Sequence, residues 1–196
     1  MKYDFKQIEE KWQKIWDDNK TFEAKEDYSL PKFYSLVEFP YPSGAGMHVG
    51  HIKAYSGLEV LSRKRRLQGY NVLFPLGFDA YGLPTENYAI KTGIHPRQVT
   101  DKNIEKFTSQ LKKVGFSFDW SKTIDTTDEN YYKWTQWIFL KMFEKGLAFR
   151  DKTLINYCPS CKVVLSNEDS QGGKCDICNS PIVQKSKDVW YLRITD

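Results

Sequence analysis

The 196-residue chain carries 29 Lys and Arg against 25 Asp and Glu, and 40 % of its residues are hydrophobic. This composition is typical of a folded protein and excludes a disordered chain. The net charge of +4 is spread evenly over both halves, so it does not indicate a nucleic-acid-binding patch. No apolar stretch approaches the ~18 residues of a membrane span, so we expect a cytoplasmic protein with no membrane partner.

The first predicted elements include a strand–helix–strand unit. Apolar residues at helical spacing predict an amphipathic helix over Asp4–Asn19, docked on a core. A strand is predicted over Phe33–Phe39, then a helix over Val49–Leu67 closed by Gly69, and a second strand over Asn71–Leu76. Units of this kind build parallel sheets.

Two further helices are predicted, and beyond them short strand-like runs replace the helical patterns. Residues Gly77–Pro84 are predicted as a turn-rich loop, and a helix from Asp101 to Gly115 is predicted with Thr100 or Asp101 as its N-cap. A helix over Asp128–Lys145 is rich in aromatic residues, which we interpret as packing surface rather than a base-stacking platform. Beyond it, three strand-like runs surround a cysteine cluster: Leu154–Tyr157, Val163–Leu165 and Val189–Ile194.

One dense basic run, Arg63-Lys64-Arg65-Arg66, ends the helix predicted over Val49–Leu67. Such a run is most often the solvated end of a helix. Contact with a phosphate or a nucleic acid is the alternative.

The loop Pro40–His51 joins the first strand to its helix and reads PYPSGAGMHVGH. A helix N-terminus at the carboxyl end of a parallel strand attracts anions. Three glycines there would let a ligand approach the backbone closely: Gly44, Gly46 and Gly50. The loop matches neither the dinucleotide-binding nor the P-loop pattern. His48 and His51 could ligate a metal, cap or pack the helix, or donate hydrogen bonds to a phosphate, and we favour the phosphate contact.

Four cysteines form two C-x-x-C pairs separated by thirteen residues: Cys158, Cys161, Cys175 and Cys178. This spacing lets four thiolates converge on one Zn²⁺. Disulfides and a redox role are the alternatives, but the sequence has no secretory signal that would favour disulfides. We predict a structural zinc site with all four ligands used, which leaves no open position for catalysis.

The segment Phe39–His51 resembles the H-I-G-H signature region of class I aminoacyl-tRNA synthetases, present here as His48-Val49-Gly50-His51. Its letters FPYPSGAGMHVGH are similar to those of the leucyl-tRNA synthetases. The resemblance covers essentially the whole chain in order, through the segments Gly69–Glu86, Tyr131–Leu147, Asn156–Cys161 and Trp190–Thr195. It implies an α/β fold, the N-terminal part of a Rossmann-like parallel-sheet catalytic domain with a small zinc-ribbon module.

The resemblance also implies a reaction, in which ATP with Mg²⁺ activates leucine to leucyl-adenylate and leucine then passes to tRNA(Leu). His48 and His51 would contact the ATP phosphates and stabilise the transition state, and Gly50 would leave room for adenine. Five residues would form the leucine site: Glu38, Phe39, Tyr41, Asp79 and Glu86. In that site Asp79 would hold the ammonium group, which needs an anion. From the residue alone, Asp79 also fits a turn or a helix cap.

Four residues depart from the family's usual pattern. Trp is usual at Phe78, Phe at Tyr81, Ala at Thr85 and Met at Glu38. An acidic Glu38 at the edge of the pocket would alter how the amino group is held.

The resemblance divides the chain into three parts. Residues 1–150 would belong to the catalytic domain, 151–187 to the zinc module and 188–196 to a connection toward the editing insertion. No K-M-S-K-S loop, editing domain or anticodon-binding domain occurs here, so we expect an incomplete part of a monomeric enzyme, inactive or weakly active alone.

Two alternative functions stay open. One is an isoleucyl-, valyl- or methionyl-type synthetase, and the other is a non-catalytic zinc- and nucleotide-binding module. An uninterrupted reading frame beyond Asp196 with a Lys-Met-Ser-Lys-Ser-like segment would favour the enzyme over the module.

Overall fold

The computed structural model describes residues 3–42 and 46–195, and the chain divides into two compact units. The N-terminal unit is Met1–Tyr132 and the C-terminal unit is Lys133–Asp196. The assignment of 1–150, 151–187 and 188–196 to functional parts stays a prediction. Across the described ranges, no helix combines the length and apolarity that a bilayer span requires.

The strand–helix–strand prediction is confirmed. Strand β1 (Lys32–Tyr34) pairs in parallel with β2 (Asn71–Leu73), and α2 (Val49–Leu67) lies between them in sequence. Both strands are shorter than predicted. The amide of Ser35 still donates to Leu73 O at 2.9 Å, but Pro75 has no N–H to continue the ladder.

The segment that follows β2 pairs with residues 119–125 instead of with β1. The amides of Asp119 and Ile124 donate to the carbonyls of Phe74 and Leu76, and β3 (Gly77–Phe78) pairs in parallel with β4 (Ile124–Asp125). The turn-rich loop predicted over Gly77–Pro84 therefore begins with a short strand.

Helix α1 (Phe5–Asp18) lies within the predicted range Asp4–Asn19, whose two end residues are its caps. Its docking is more polar than expected, because none of its side chains is buried. The side-chain amide of Gln13 donates to Lys113 O at 3.1 Å, and Asp17 pairs with Lys112 at 3.0 Å.

Helix α3 (Leu83–Thr92) was missed. Among the side chains of this helix whose burial is described, only Thr85 and Ala89 are buried, while Tyr88 and Ile90 are exposed, so no clear apolar face signals the helix.

Helix α4 (Pro96–Val114) starts earlier than predicted, so neither Thr100 nor Asp101 caps it. The cap is His95, whose side chain accepts from the amide of Arg97 at 3.2 Å. Pro96 follows at the first helical position, where its fixed φ and missing N–H are tolerated.

The basic run of α2 is packed into the N-terminal unit, which corrects its interpretation as a solvated helix end. Contact with a phosphate or a nucleic acid stays a prediction. Arg63 lies over Trp16 and Phe22 and bonds to Gly115 O at 2.7 Å. Arg66 bonds to the hydroxyl and carbonyl of Ser117 at 2.6 and 3.0 Å. Arg65 lies over the rings of Phe33 and Tyr70, and only Lys64 of the four is exposed.

The core of the N-terminal unit is aromatic. Tyr55 of α2 and Phe107 of α4 are at most 1 % exposed and belong to the same cluster as the residues after β2. The other buried members are Val37, Val72, Phe74, Leu76, Phe78, Leu111, Phe116 and Phe118. This core fixes α2 and α4 relative to the ends of the strands.

Asp119 joins the N-terminal segment to this core and is fully buried. Its carboxylate accepts from the amide of Ala24 at 2.9 Å and from the amide and hydroxyl of Ser121 at 3.1 and 2.6 Å. We expect Asp119→Ala to lower the free energy of unfolding by about 2–4 kcal/mol in urea titrations, because buried donors lose a charged acceptor.

The exposed Asp27 offers a matched control. Its carboxylate accepts the same pair of bonds from Ser29, at 2.9 and 2.6 Å. Asp27→Ala should cost less than about 1 kcal/mol, since water replaces the lost acceptor. Equal losses for the two variants would show that burial of Asp119 does not matter.

The C-terminal unit holds most of α5 (Glu129–Glu144) and an antiparallel sheet. The sheet has the order β6 (Val163–Leu165), β5 (Ala148–Cys158), β7 (Val183–Leu192), with Cys158 opposite Val163 and Ala148 opposite Leu192. The strand-like runs were therefore recognised, although β5 and β7 are longer than predicted.

The aromatic residues of α5 do not form a buried packing surface, which corrects that interpretation. No residue of α5 is buried, and Trp134, Trp137 and Phe143 are each more than half exposed. Phe139 and Phe143 do contact Trp190 of β7 edge to face, with ring centroids 5.0 and 5.8 Å apart.

Candidate functional site

The first turn of α2 is built from its two histidines. His48 is the N-cap, and its Nδ1 accepts from the amide of Gly50 at 3.1 Å. The Nδ1 of His51 accepts from the amide of His48 at 3.3 Å, and the two ring centroids lie 4.0 Å apart. Because both Nδ1 atoms accept, each neutral ring carries its proton on Nε2.

This arrangement caps the helix through the Nδ1 atoms alone. Burial and the neighbouring His48 lower the pKa of His51, so its ring is neutral at pH 7. Neutral rings with Nε2–H groups can donate hydrogen bonds to an anion without carrying a charge themselves. Among the described residues, the only group of three or more metal-ligating side chains is formed by the four cysteines.

Gly50 makes room for a side chain of this same turn. A Cβ at Gly50 would lie 2.8 Å from Cε1 of His48. Gly46 has a φ of 149°, a conformation that favours glycine. Gly44 lies outside the described residues, and the predicted contact of Gly50 with adenine stays a prediction.

Backbone contacts bring the predicted leucine-binding residues together. The amide of Asp79, just after β3, donates to Pro40 O at 3.1 Å. The ring of Phe39 lies so close to Gly77 that a Cβ there would be 2.4 Å from it. The side chains of Glu38 and Tyr41 are exposed near this junction.

Asp79 is half-buried, and its carboxylate makes no hydrogen bond or ion pair with any residue in 3–42 or 46–195. It caps no helix either, since the residue before α3 is Gly82. A carboxylate without such partners is available to a cationic ligand.

Glu86, the fifth predicted residue of the leucine site, lies on α3. It is exposed in the first turn of α3 and lines a cavity of about 290 Å³ together with Tyr81, Arg97 and Tyr132. Of residues 38–42 and 46–51, none lines the cavity.

Sequence reasoning missed three residues that support the site. The Tyr55 hydroxyl donates to Glu38 O at 3.3 Å, and burial raises the pKa of Tyr55 well above its usual range, which keeps the donor protonated. Asn103 and Gln110 of α4 bond to the backbone of the glycine-rich loop. In the sequence they could have been recognised as polar side chains within the stripe of Ile104, Phe107 and Leu111, where a surface helix normally places apolar residues.

The structure brings the four cysteines of the C-terminal unit together as predicted. Their sulfurs all lie within 4.8 Å of one another, and those of Cys158 and Cys178 are 3.5 Å apart. Tetrahedral zinc with bonds of about 2.3 Å spaces its sulfurs about 3.8 Å apart. All four are free thiols, so the disulfide alternative is not realised, and the donor set fits zinc.

The two C-x-x-C turns have the same geometry. The residues after each pair, Lys162 and Asn179, have φ of 59° and 58°. Their amides donate to the carbonyls of Cys158 and Cys175, each at 2.8 Å. Both turns therefore aim two sulfurs at one point.

One thiol of the cluster is acidic. Hydrogen bonds from Ser180 lower the pKa of Cys178 to about 6, and the hydrogen bond with Cys178 raises the pKa of Cys161 to about 12. At neutral pH the cluster thus holds a thiolate at Cys178, and a cation is needed to stabilise further ones.

The sequence profile described as tRNA synthetases class I (I, L, M and V) matches residues 11–196. The chain is 58 % identical over 194 residues to a leucine–tRNA ligase of Alkaliphilus oremlandii (strain OhILAs), and 49 % identical over 195 residues to that of Protochlamydia amoebophila (strain UWE25). These matches cover 99 % and 100 % of this chain but 24 % and 23 % of the relatives, so the chain spans about a quarter of their length.

Solved structures show the same fold. The Agrobacterium radiobacter K84 agnB2 LeuRS–tRNA–LeuAMS complex matches 98 % of this chain and 25 % of its own, with a TM-score of 0.87 and 33 % identity. The Mycobacterium tuberculosis methionyl-tRNA synthetase in complex with methionyl-adenylate matches 84 % of this chain and 32 % of its own, with a TM-score of 0.66 and 22 % identity. The predicted α/β class I synthetase fold is confirmed.

Proposed function

The chain belongs to the class I tRNA synthetases of the isoleucine, leucine, methionine and valine group, and from this premise we propose that it is the N-terminal part of a leucine–tRNA ligase. The observation that carries the proposal is 58 % identity to a leucine–tRNA ligase over 99 % of this chain. The same comparison favours leucine over the isoleucyl, valyl and methionyl alternatives.

The proposed reaction joins leucine to AMP and then to tRNA(Leu). The leucine carboxylate attacks the α-phosphorus of ATP, the bond to pyrophosphate breaks, and leucyl-adenylate forms. The ribose hydroxyl at the tRNA end then attacks the leucyl carbonyl and AMP leaves. Mg²⁺ would accompany ATP as a charge-neutralising partner of its phosphates.

The first turn of α2 would serve the phosphate end of this reaction. The Nε2–H groups of His48 and His51 are donors in a fixed tautomer, and donors fixed in advance stabilise charge that develops in a transition state. The N-terminus of α2 adds its positive dipole end.

The junction of Pro40 and Asp79 would hold leucine. The unpaired carboxylate of Asp79 is suited to the ammonium group. The hydroxyl of Tyr55 holds the backbone carbonyl of Glu38, and the ring of Phe39 packs on Gly77. We assign Tyr41 to the same site, and we assign Glu86 a role at its edge through the neighbouring cavity.

The four cysteines would hold a structural zinc ion. Zinc supplies cross-linking of the two C-x-x-C turns, and the closed set of four thiolates leaves it no catalytic position. We further propose a cytoplasmic, monomeric enzyme in which this chain, lacking a K-M-S-K-S segment, is inactive or weakly active alone.

Calorimetric titration of the whole protein with non-hydrolysable aminoacyl-adenylate analogues tests the proposal. The leucyl analogue should bind at least about 10-fold more tightly than the isoleucyl, valyl and methionyl analogues. Asp79→Asn should weaken leucyl binding by about 10-fold or more, because a charged hydrogen bond is lost. The exposed Asp27→Asn is the matched control. Preference for another analogue, or wild-type affinity in Asp79→Asn, would contradict the assignment.

A further inference from the structure

Helix α4 forms hydrogen bonds with the glycine-rich loop on both sides of residues 43–45. The side-chain amide of Asn103 donates from Nδ2 to Pro42 O at 2.7 Å. Seven residues later, Oε1 of Gln110 accepts from the amide of Met47 at 2.8 Å. The two side chains are thus about 10 Å apart along the helix and hold the two ends of one loop.

The partners fix how each amide is oriented. Pro42 has no N–H and offers only a carbonyl acceptor, while the Met47 backbone N–H only donates. Asn103 must therefore act as a donor and Gln110 as an acceptor. The Gln110 amide also fills the space over Gly46, where a Cβ would lie 2.8 Å from Nε2 and Oε1.

The same face of α4 supports the histidines. Phe107 lies between the two amides in sequence and is 1 % exposed. Its ring contacts His51 edge to face, with centroids 6.2 Å apart. One rigid helix therefore holds both ends of the loop and the ring of His51.

We propose that Asn103 and Gln110 form an amide clamp that positions the ATP-binding loop and so sets the affinity for ATP without touching the nucleotide. This inference rests on the proposed ligase function. The clamp residues are positioning residues, because each acts only through the backbone of Pro42 or Met47.

The opposite hydrogen-bonding needs of the two positions give a sharp test in the whole enzyme. Asn103→Asp and Gln110→Glu add the same charge to the same helix. Asp at 103 places a carboxylate against the Pro42 carbonyl, whereas Glu at 110 still accepts from Met47. We expect Asn103→Asp to raise the KM for ATP about 10-fold and Gln110→Glu about 2-fold or less, with the KM for leucine within 2-fold of wild type.

Neutral variants and a control complete the set. Asn103→Leu and Gln110→Met remove the clamp bonds and should each raise the KM for ATP about 3- to 10-fold. Gln98 is an exposed amide on the same helix, so Gln98→Met and Gln98→Glu should leave the KM for ATP unchanged. A purely structural role would lower stability or kcat without this split between ATP and leucine.

Hydrogen exchange separates failure of the clamp from failure of the proposed function. The Met47 amide should exchange about 10-fold faster in Gln110→Met and remain protected in Gln110→Glu. Wild-type ATP KM in both neutral variants, equal KM changes in the two acidic variants, or an unprotected Met47 amide in the wild type would overturn the clamp. A wild-type protein that protects Met47 but activates no leucine would instead overturn the ligase proposal.

Discussion

His48→Asn is expected to slow leucine-dependent ATP–pyrophosphate exchange of the whole enzyme by about 10²- to 10³-fold, the usual cost of losing one fixed donor to a transition state. The side-chain oxygen of Asn can replace the Nδ1 of His48 as the acceptor for the Gly50 amide. Asn is also among the best N-cap residues. The variant therefore keeps α2 capped but loses the Nε2–H, together with the ring that lies 4.0 Å from that of His51.

His48→Gln is the complementary variant. Its longer side chain places an N–H₂ near the position of the histidine Nε2 but no acceptor at Nδ1. We expect it to keep more of the exchange rate than His48→Asn and to lose about 1 kcal/mol of stability through the weaker cap. If His48→Asn keeps the wild-type rate while thermal unfolding shows an intact fold, His48 only caps the helix and contributes no donor to the reaction.

The α2 region shows how much a local pattern can determine. Its bounds were predicted to the residue because the apolar spacing and the closing Gly69 are both local signals. The prediction for the histidines has a related basis, since motifs at the ends of strands mark the ligand side of a parallel sheet, whereas the role of Asp79 came from the family resemblance and stays a prediction. The motif did not indicate the residues that support the loop, because Asn103 and Gln110 lie about 60 residues further along the chain.

The errors arise where distant residues decide the outcome. Arg63 and Arg66 are packed rather than solvated because they contact Phe22 and Ser117, and no helical pattern reveals these contacts. The start of α4 was misplaced because histidine is not among the residues that usually cap helices, although His95 does so here. The strands ended early because Pro75 removes a donor within a segment of strand composition.

The cysteine spacing predicted the cluster correctly because it depends little on distant residues. Each C-x-x-C pair is local, and only one contact between the two pairs is needed. The small core of the C-terminal unit shows what that contact supports. Cys158 and Cys175 are two of its four buried members, beside Val163 and Leu165. So small a core provides little apolar burial, and the free energy of zinc binding would be part of the folding free energy.

We therefore expect one zinc ion per chain, and we expect Cys175→Ser or a strong chelator to unfold the segment 158–182. Amide exchange there should accelerate at least about 100-fold, because structural zinc sites contribute several kcal/mol to folding. Exchange in α2 should not change, since α2 belongs to the other compact unit. Zinc content by mass spectrometry and exchange by peptide give the two measurements.

Ser160→Ala provides the matched control for this variant. Ser160 lies inside the first C-x-x-C turn, is exposed and is not a ligand, so its loss should change neither zinc content nor exchange. Zinc also requires deprotonated thiols, so acidification should release it. A zinc-free protein that protects 158–182 as fully as the zinc-loaded protein would mean that the cysteines pack as ordinary apolar side chains.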